Sequence, residues 1–289
     1  MNIKSVIATL EALVFGKINL LLLVTNLCNS KCTICSYWQQ EKHNLPVYII
    51  KQLLNSKIVN KNGITLEGGE AILHPDIKEI LYLLKDCNYS LLTNGLLPDI
   101  LEKLVVDFKI PNVSISIDGP KETYKKIRGV DGYETAIYTA LSLRNKTNLS
   151  ICFTISPQNT FEDYLHIKEF CDYHKIPLLL NIYSEMEYSG KRFTDKPIDE
   201  RYDKLSNKYV SQYNRWVKGG IKSNCFGIRY ICNVFPDGKV VLCQARQDVV
   251  FGNLYEKTID EIWKQRPKVK CNECWMSCNR YLEAKWIIS

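Results

Sequence analysis

The chain places three cysteines, Cys28, Cys32 and Cys35, within eight residues, directly after an apolar run at 18–24. Thiolates at this spacing can surround one corner of an iron–sulfur cubane, which proteins usually hold through four cysteines. Three protein ligands leave one iron with an open coordination position, where another molecule can bind, whereas a closed site is structural. The triplet therefore predicts a cluster that performs chemistry on a molecule bound to it.

The alternative for this loop is a structural zinc site whose fourth ligand is His43 or His74. Structural zinc sites usually show their ligands as two pairs, whereas this loop carries three cysteines. The iron–sulfur interpretation is therefore favoured, and His74 is interpreted as a packing residue at the start of a helix.

Six further cysteines lie in the last 65 residues, so nine of the twelve cysteines fall into two groups. The chain shows no export signal, which argues against a disulfide scaffold and favours metal or iron–sulfur ligation. Paired cysteines also hold zinc, and a zinc knuckle stays the alternative for the second group. Its members are Cys225, Cys232, Cys243, Cys271, Cys274 and Cys278. The lone cysteines, Cys87, Cys152 and Cys171, are interpreted as small buried hydrophobes.

Around the first group, short apolar runs alternate with segments of helical periodicity. Continuous apolar strands with helices between them predict a parallel sheet covered by helices. A complete eight-fold barrel typically needs ~250 residues, whereas the alternation here ends near residue 215. We therefore predict an α/β fold, a partial (βα)6 TIM-like barrel over 17–215 with a small cysteine-rich C-terminal domain over 216–289. The predicted strands are 18–25, 63–69, 89–95, 112–119, 150–156 and 176–183, and the predicted helices are 46–60, 76–86, 98–108, 121–144 and 161–174.

The two ends of the chain carry other patterns. Residues 1–16 predict an amphipathic helix that packs on the domain, with peripheral contact to a lipid bilayer as the alternative. Near the C-terminus, the turn at 236–239 predicts a hairpin, and 257–265 predicts a short helix with Thr258 as N-cap. The apolar face of the N-terminal helix consists of Ile3, Ile7, Leu10 and Val14.

Composition and charge narrow the class of protein. With 46% hydrophobic and 24% charged residues, the chain has the composition of an ordinary globular protein. Its net charge of +7 is scattered, without a basic stripe interleaved with aromatic residues, so nucleic acid is not an expected partner. No apolar run approaches the ~20 residues of a membrane span. We therefore expect a cytoplasmic protein.

The remaining unusual residues all follow predicted strands. Functional groups in barrel folds cluster at the C-terminal ends of the strands. The cysteine loop follows the first strand, and polar or glycine-rich segments follow the next three, which places them on one rim. These segments are Gly68, Gly69 and Glu70, then Thr93, Asn94 and Gly95, then Ser116 and Asp118.

With its cysteine loop after one strand and the sequence GGE at 68–70 after the next, the chain resembles the radical S-adenosylmethionine (SAM) superfamily. The resemblance covers nearly the whole chain. It implies that Cys28, Cys32 and Cys35 hold a [4Fe–4S] cluster whose fourth iron binds SAM. It also implies that SAM is cleaved reductively to methionine and a 5′-deoxyadenosyl radical, which abstracts a hydrogen from the substrate.

The same resemblance implies a cradle for SAM around the rim. A carboxylate suits the methionyl ammonium, glycines allow close backbone approach, and a guanidinium matches a carboxylate. Arg128 is also compatible with a solvated helix charge. The implied contacts are Gly68, Gly69 and Glu70 with the ammonium, Ser116 and Asp118 with the ribose, and Arg128 with the carboxylate, with Asn94 and Asn159 as weaker rim residues.

One position departs from the family pattern. The residue before the third cysteine is commonly aromatic in the family, and here it is Ile34. The neighbouring Tyr37 and Trp38 offer an aromatic face for adenine instead. The departure concerns the adenine contact and leaves the cluster ligands unaffected.

The C-terminal cysteines resemble those of the SPASM domain, or of the shorter twitch domain, which carry auxiliary iron–sulfur clusters. The segments 234–243 and 252–263 strengthen this likeness. Two cysteines of the two-cluster pattern are missing, so we expect one auxiliary [4Fe–4S] cluster. Its first-choice ligands are Cys225, Cys243, Cys271 and Cys274, with Cys232 or Cys278 as alternatives that spacing does not decide.

The predicted function is therefore a radical SAM enzyme that oxidises, epimerises or forms a bond in its substrate. The substrate is a small molecule or a peptide, and the electron comes from a reductant such as flavodoxin or ferredoxin. The alternative is a non-catalytic zinc-binding or redox-sensing iron–sulfur protein. No acid or base is identified; Tyr183, Glu185 and Glu187 could face the substrate, although ordinary loop polarity is the favoured interpretation.

Overall fold

The computed structural model describes residues 14–183, 196–221, 225, 227–271 and 274–275. Nine strands within these residues form one sheet, in the spatial order β6-β5-β4-β3-β2-β1-β7-β8-β9. The strands are β1 (Ile18–Leu23), β2 (Val59–Glu67), β3 (Tyr89–Thr93), β4 (Asn112–Ser116), β5 (Asn148–Ile155), β6 (Leu178–Ile182), β7 (Ile231–Val234), β8 (Lys239–Cys243) and β9 (Arg246–Asn253).

Helices connect the first six strands. In chain order they are α1 (Val47–Asn55), α2 (Ile77–Leu83), α3 (Pro98–Phe108), α4 (Lys121–Arg128), α5 (Tyr133–Leu143) and α6 (Phe161–His174), followed after β6 by α7 (Lys208–Ser211), α8 (Tyr213–Val217), α9 (Gly227–Tyr230) and α10 (Ile259–Gln265). Short 3-10 turns lie at Tyr37–Gln39, Ala71–Leu73 and Glu200–Lys204.

Strands β1 to β6 are all parallel, each paired with the next, which confirms the predicted α/β fold. Because side chains alternate along a strand, one face of the sheet packs on the helices and the other lines the concave interior. The helix-facing side chains of β1, Leu20 and Leu22, are almost fully buried in the main core, as are Ile64 and Leu66 of β2. This core fixes the positions of the strand ends.

The C-terminal strands continue the same sheet. Strand β7 pairs in parallel with β1, with Leu20 opposite Cys232, and β8 and β9 follow as antiparallel neighbours. The hairpin predicted at 236–239 joins β7 to β8. The pairing of β7 with β1 is not visible in the sequence pattern, because β7 has only four residues. The predicted domain boundary between residues 215 and 216 stays a prediction.

Several predicted element bounds differ from the structure, most clearly at β2 and over 121–144. Strand β2 begins at Val59 rather than 63, with an irregular register against β1 near Ile18. The single helix predicted over 121–144 is two helices, α4 and α5. Helix α4 ends at Gly129, whose φ of 67° lies in the left-handed region that favours glycine. A helical period alone did not show this interruption.

Two helix starts follow their sequence signals closely. Thr160 caps α6 through a reciprocal capping box with Asp163. Thr258, the predicted N-cap, forms the same arrangement with Glu261 at the start of α10.

Most of the N-terminal helix predicted over 1–16 lies outside the described residues, as do Glu185, Glu187 and Cys278. Val14 and Phe15, which are described, are largely exposed. Among the described residues, every helix falls short of the length and apolar character that a membrane crossing requires.

Candidate active site

The C-terminal ends of β1 to β6 surround a cavity of about 450 Å³. Its wall consists of the inward-facing side chains of the strands, at alternate positions as the pleat requires. The inward positions are Leu21 and Leu23 of β1, Thr65 and Glu67 of β2, Leu92 of β3, Ser114 and Ser116 of β4, Cys152 and Thr154 of β5, and Leu179 and Asn181 of β6. The mouth of the cavity is formed by the cysteine loop.

All three thiols of the loop, Cys28, Cys32 and Cys35, line this cavity. Two backbone hydrogen bonds hold the loop to the end of α4, from Lys31 N to Arg128 O at 3.1 Å and from Thr33 N to the preceding carbonyl oxygen at 2.8 Å. The end of α4 therefore fixes the position of the thiols.

The glycines at 68 and 69 hold the start of the same loop. The Gly69 amide donates to Thr25 O, and the next amide donates to Leu27 O, both at 2.7 Å. A β-carbon would lie 2.4 Å from Thr25 O at Gly68 and 2.3 Å from Leu27 O at Gly69. Neither position accepts a side chain, because these contacts are with backbone. Both glycines also line the cavity.

Without a metal, burial favours the protonated form of two of these thiols. Burial raises the pKa of Cys28 to about 11, although the Ser30 amide opposes this, and burial raises the pKa of Cys35. Bound metal deprotonates a coordinating thiol, so loading releases protons. Among the described residues, no three His, Cys, Asp or Glu side chains are set as a single metal ion needs. A cubane spans more space, since each thiolate binds its own iron.

Glu70 lies behind the cavity wall and is almost fully buried. Its Oε1 accepts a hydrogen bond from Thr93 Oγ1 at 3.0 Å, and its Oε2 accepts one from Asn94 N at 2.7 Å. Burial raises its pKa to about 7, against these hydrogen bonds. Asn94 in turn donates to Asn29 Oδ1 at 2.7 Å. The carboxylate predicted to contact the SAM ammonium thus fixes the end of β3 against the cysteine loop.

Asp118 and Arg128 form an ion pair, with Oδ2 and Nη2 2.5 Å apart. Asp118 is fully buried and also accepts a hydrogen bond from Thr154 N at 2.8 Å. Arg128 lines the cavity and directs Nη1 to Cys32 Sγ at 3.9 Å. Although burial opposes it, Asp118 raises the pKa of Arg128. The predicted ribose and carboxylate contacts of SAM are therefore partners of each other, and Ser116 is the member of this group that faces the cavity with Arg128.

Two weaker candidates for the site, Asn159 and His74, form hydrogen bonds with the surrounding backbone. Asn159 donates from Nδ2 to Asp118 O at 3.0 Å and to Thr154 O at 2.8 Å, which fixes the loop after β5. His74 is buried, and its Nε2 lies 3.1 Å from Leu45 O. His43 is partly exposed, and its backbone amide donates a hydrogen bond to Asn26 Oδ1 at 2.7 Å.

Several cavity residues were missed from the sequence: Glu67, Cys152, Thr154, Asn181 and Gln244. Four of them lie at alternate, inward-facing positions of β2, β5 and β6, and this alternation could have predicted them. It is hard to recognise in the sequence because the strands are short and mostly apolar. Gln244 had no signal, since its place depends on β8 joining the sheet. Tyr183, a predicted substrate-facing residue, does line the cavity.

The C-terminal cysteines form a second, closed group. The Cys225 amide donates to Cys271 O at 2.7 Å, and Cys243 packs with Cys274. Burial raises the pKa of Cys243 to about 12, and the nearby thiols of Cys225 and Cys271 raise it further. Cys232 lies instead on β7 in the main core. The geometry thus brings together the four first-choice ligands and separates Cys232 from them.

Comparison with known families agrees with both groups. A family model for the radical SAM superfamily matches residues 22–171, and one for the SPASM iron–sulfur cluster-binding domain matches residues 225–280. The chain belongs to the radical SAM superfamily. Its cofactors are accordingly SAM, a SAM-binding [4Fe–4S] cluster and auxiliary iron–sulfur clusters in the SPASM domain.

Curated relatives of this radical SAM chain include two archaeal proteins named probable GTP 3′,8-cyclase. The one from Saccharolobus solfataricus is 34% identical over 122 residues, which is 39% of each chain. The one from Methanocaldococcus jannaschii is 28% identical over 208 residues, 65% of this chain and 67% of the relative. The chain thus matches about two fifths of the length of the former relative.

Solved structures with a similar fold include two radical SAM proteins. Streptococcus suis SuiB bound to the precursor peptide SuiA has a TM-score of 0.69 at 17% identity, covering 90% of this chain and 68% of SuiB. The protein anSMEcpe with bound AdoMet has a TM-score of 0.63 at 20% identity, covering 92% and 94%. These likenesses concern the fold.

Proposed function

We propose that this chain cleaves SAM reductively in the cavity at the ends of β1 to β6 and removes a hydrogen atom from a peptide substrate. The observation that carries the proposal is the convergence of three thiols and two obligatory glycines on one cavity at those strand ends. Cys28, Cys32 and Cys35 would hold the cluster. When bound, the cluster and SAM supply a 5′-deoxyadenosyl radical, which is the hard step of the chemistry.

The chain's own residues position the reactants and exclude water. The buried apolar side chains of Leu21 and Leu23 cover part of the inner wall, and exclusion of water protects a reactive intermediate from side reactions. Gly68, Gly69, Asn94, Ser116 and Arg128 remain the proposed contacts of SAM along the polar side. In this proposal Glu70 and Asp118 act behind them, on the end of β3 and on Arg128.

The charge of the cavity favours a peptide over a nucleoside triphosphate. Arg128 is the single cationic side chain among the described residues that line it, and Asp118 already neutralises that charge. Glu67 adds an acidic side chain to the wall. A triphosphate would therefore meet repulsion, whereas a neutral or cationic peptide would not. The peptide-bound structure of SuiB supports this assignment through the shared fold.

A nucleotide is the second candidate, and the relatives named probable GTP 3′,8-cyclase favour it. Their matches cover 39% and 65% of this chain, whereas substrate contacts depend on the individual cavity. We place the nucleotide second because the described lining residues offer it no unpaired cation.

We further propose one auxiliary cluster held by Cys225, Cys243, Cys271 and Cys274. With four protein ligands it would carry electrons or support the structure. An electron acceptor within the protein is consistent with net oxidation of the substrate. The electron that starts SAM cleavage would come from a reductant such as flavodoxin or ferredoxin, in the cytoplasm.

The test is anaerobic reconstitution with iron and sulfide, followed by dithionite and SAM, with 5′-deoxyadenosine measured by chromatography. We expect 5′-deoxyadenosine from the wild type. Parallel reactions with GTP and with a library of capped tripeptides separate the candidates. Faster formation with peptides supports the first candidate, and a new cyclised nucleotide detected by mass spectrometry establishes the second. Iron-loaded, reduced protein that forms no 5′-deoxyadenosine under any condition contradicts the enzyme assignment.

A further inference from the structure

Glu67 ends β2 on the inner face of the sheet, one residue before the glycine pair. Its side chain is half-buried and lines the same cavity as the cysteine thiols. The helix-facing neighbour Leu66 is fully buried in the core, so the pleat directs Glu67 into the cavity. A carboxylate among apolar inward positions is costly unless it has a partner.

That partner comes from the C-terminal part of the chain. Gln244 Nε2 donates a hydrogen bond to Glu67 Oε1. Gln244 follows Cys243 directly in the turn between β8 and β9, and Gln244 also lines the cavity. Because β7 joins β1 in the sheet, the segment that carries a proposed auxiliary-cluster ligand reaches the cavity wall of the first site.

The hydrogen bond to Gln244 uses one carboxylate oxygen of Glu67. Among the described residues, no side chain or amide donates to Oε2. Burial raises the pKa of Glu67 to about 7, and the Gln244 contact opposes this. Both facts describe a carboxyl group that is partly removed from water and has a partner on only one of its oxygens. A donor group from a bound molecule would complete it, since an ionised acceptor forms hydrogen bonds about twice as strong as a neutral one.

We propose that Glu67 is a substrate-binding residue that selects a cationic or N–H-bearing side chain of the peptide, and that Gln244 holds its carboxylate in the binding orientation. This inference rests on the proposed function. Oε2 accepts the substrate's hydrogen bond while Oε1 stays with Gln244. The apolar wall formed by Leu21 and Leu23 packs along the aliphatic part of the same side chain. Substrate selection therefore combines a residue of the barrel with a residue of the SPASM segment.

The experiment measures the binding of three probes to the reconstituted, SAM-loaded protein. The probes are acetyl-Gly-X-Gly-amide tripeptides in which X is lysine, norleucine or glutamate, and their Kd values are measured by anaerobic equilibrium dialysis. We expect the lysine probe to bind the wild type roughly tenfold or more tightly than the glutamate probe, with norleucine between them. The norleucine probe separates the contribution of the charge from that of the aliphatic chain.

The variant Glu67→Gln keeps the shape and removes the charge. We expect it to reduce the preference for lysine over glutamate to about twofold or less, while the affinity for norleucine stays within about twofold. Gln244→Leu should reduce the preference by a smaller factor, because the carboxylate remains but loses its orientation. Glu79→Gln, a change at an exposed residue of α2, is the matched control and should keep the wild-type ratio.

Several results would overturn the inference. A wild type that binds the three probes equally, or binds none, leaves Glu67 without the proposed role. A Glu67→Gln variant that keeps the wild-type ratio would show a merely structural contact. Thermal unfolding of each variant identifies a folding defect, and Glu67→Asp then tests whether a retained charge restores the preference. The proposed function fails separately, since that failure means no 5′-deoxyadenosine from the wild type.

Discussion

The two cysteine groups of this radical SAM chain differ in what surrounds them. In the first group, Cys28 and Cys35 are partly exposed and all three thiols line the cavity. In the second group, the four described thiols of Cys225, Cys243, Cys271 and Cys274 are each at most 7% exposed. One group faces a space that can admit a molecule, and the other is enclosed by protein.

The difference in exposure between the two groups agrees with the number of protein ligands proposed for each cluster, three in the first and four in the second. A metal centre with an open position binds substrate or cofactor, whereas a closed centre is structural or carries electrons. The first group, Cys28, Cys32 and Cys35, is called the open group, and the second is called the closed group. Backbone hydrogen bonds to the end of α4 and to the segment after β2 hold the loop of the open group in place. The closed group lies on and beside β8 and depends on the sheet itself. Substitutions in each group and in the buried residues behind the open group test this contrast.

Removing a thiol of the open group should abolish catalysis. We expect Cys32→Ala to reduce 5′-deoxyadenosine formation to the background rate, because no cluster would hold SAM, while the iron of the closed group remains. Chromatography of the reaction and an iron assay check this. Cys87→Ala, at a half-buried cysteine outside both groups, is the control and should retain activity. Full activity of Cys32→Ala would remove the open group from its role.

Removing a thiol of the closed group should leave SAM binding intact. Cys243→Ala is expected to lose about four irons per chain, the content of one [4Fe–4S] cluster. SAM binding, followed by the change in the electron paramagnetic resonance signal of the reduced protein, should persist. The matched variant Cys232→Ala should keep its full iron content, because Cys232 lies in the core. Iron loss from Cys232→Ala instead would reassign the ligands.

Breaking the ion pair behind the open group should destabilise the fold. Asp118→Asn leaves the buried guanidinium of Arg128 without its counter-charge, which costs about 3–5 kcal/mol of unfolding free energy. The control is Asp131→Asn, which removes the exposed pair with Lys125 and should cost about 1 kcal/mol or less. Urea denaturation measures both. Equal midpoints for the two variants would show that the buried pair carries no special stability.

The buried carboxyl of Glu70 should make stability depend on pH. Its folded pKa of about 7 exceeds the ordinary value of 4.5, so the unfolded state loses its proton first. Between these values the folded state binds more protons, and the free energy of unfolding falls as pH rises, by about 3 kcal/mol at most from this group. Glu70→Gln should flatten the slope between pH 4.5 and 7. Glu79→Gln should leave it unchanged, and an unaltered slope in Glu70→Gln would contradict the assignment.

Much of the fold could be predicted because the strands are continuous apolar runs and the helices carry capping signals. The run at 18–25 became β1, and the period at 161–174 became α6, with its capping box at Thr160. The interruption at Gly129 was missed because the helical period was followed across a glycine that ends α4 in a left-handed conformation.

For the candidate site, the sequence predicted residue types at strand ends and not their partners. Their position after predicted strands placed Glu70 and Asp118 on one rim, and the family resemblance added Arg128. In the structure Arg128 lines the cavity, whereas Glu70 and Asp118 are buried behind its wall. The pairing of Asp118 with Arg128 and the contacts of Glu70 with β3 depend on side-chain packing across strands. Glu67 and Gln244 were missed because their contact joins two segments separated by 177 positions.

The parallel pairing of β1 with β7 has a consequence for how the chain is made. Strand β1 leaves the ribosome well before Ile231–Val234, which is synthesised more than two hundred residues later. At about 5–20 residues per second, one edge of β1 waits at least ten seconds for its neighbour. During that interval the nascent chain exposes an apolar strand edge, which is a template for wrong pairing. Expression without the last seventy residues would make that exposure permanent and should yield aggregated protein.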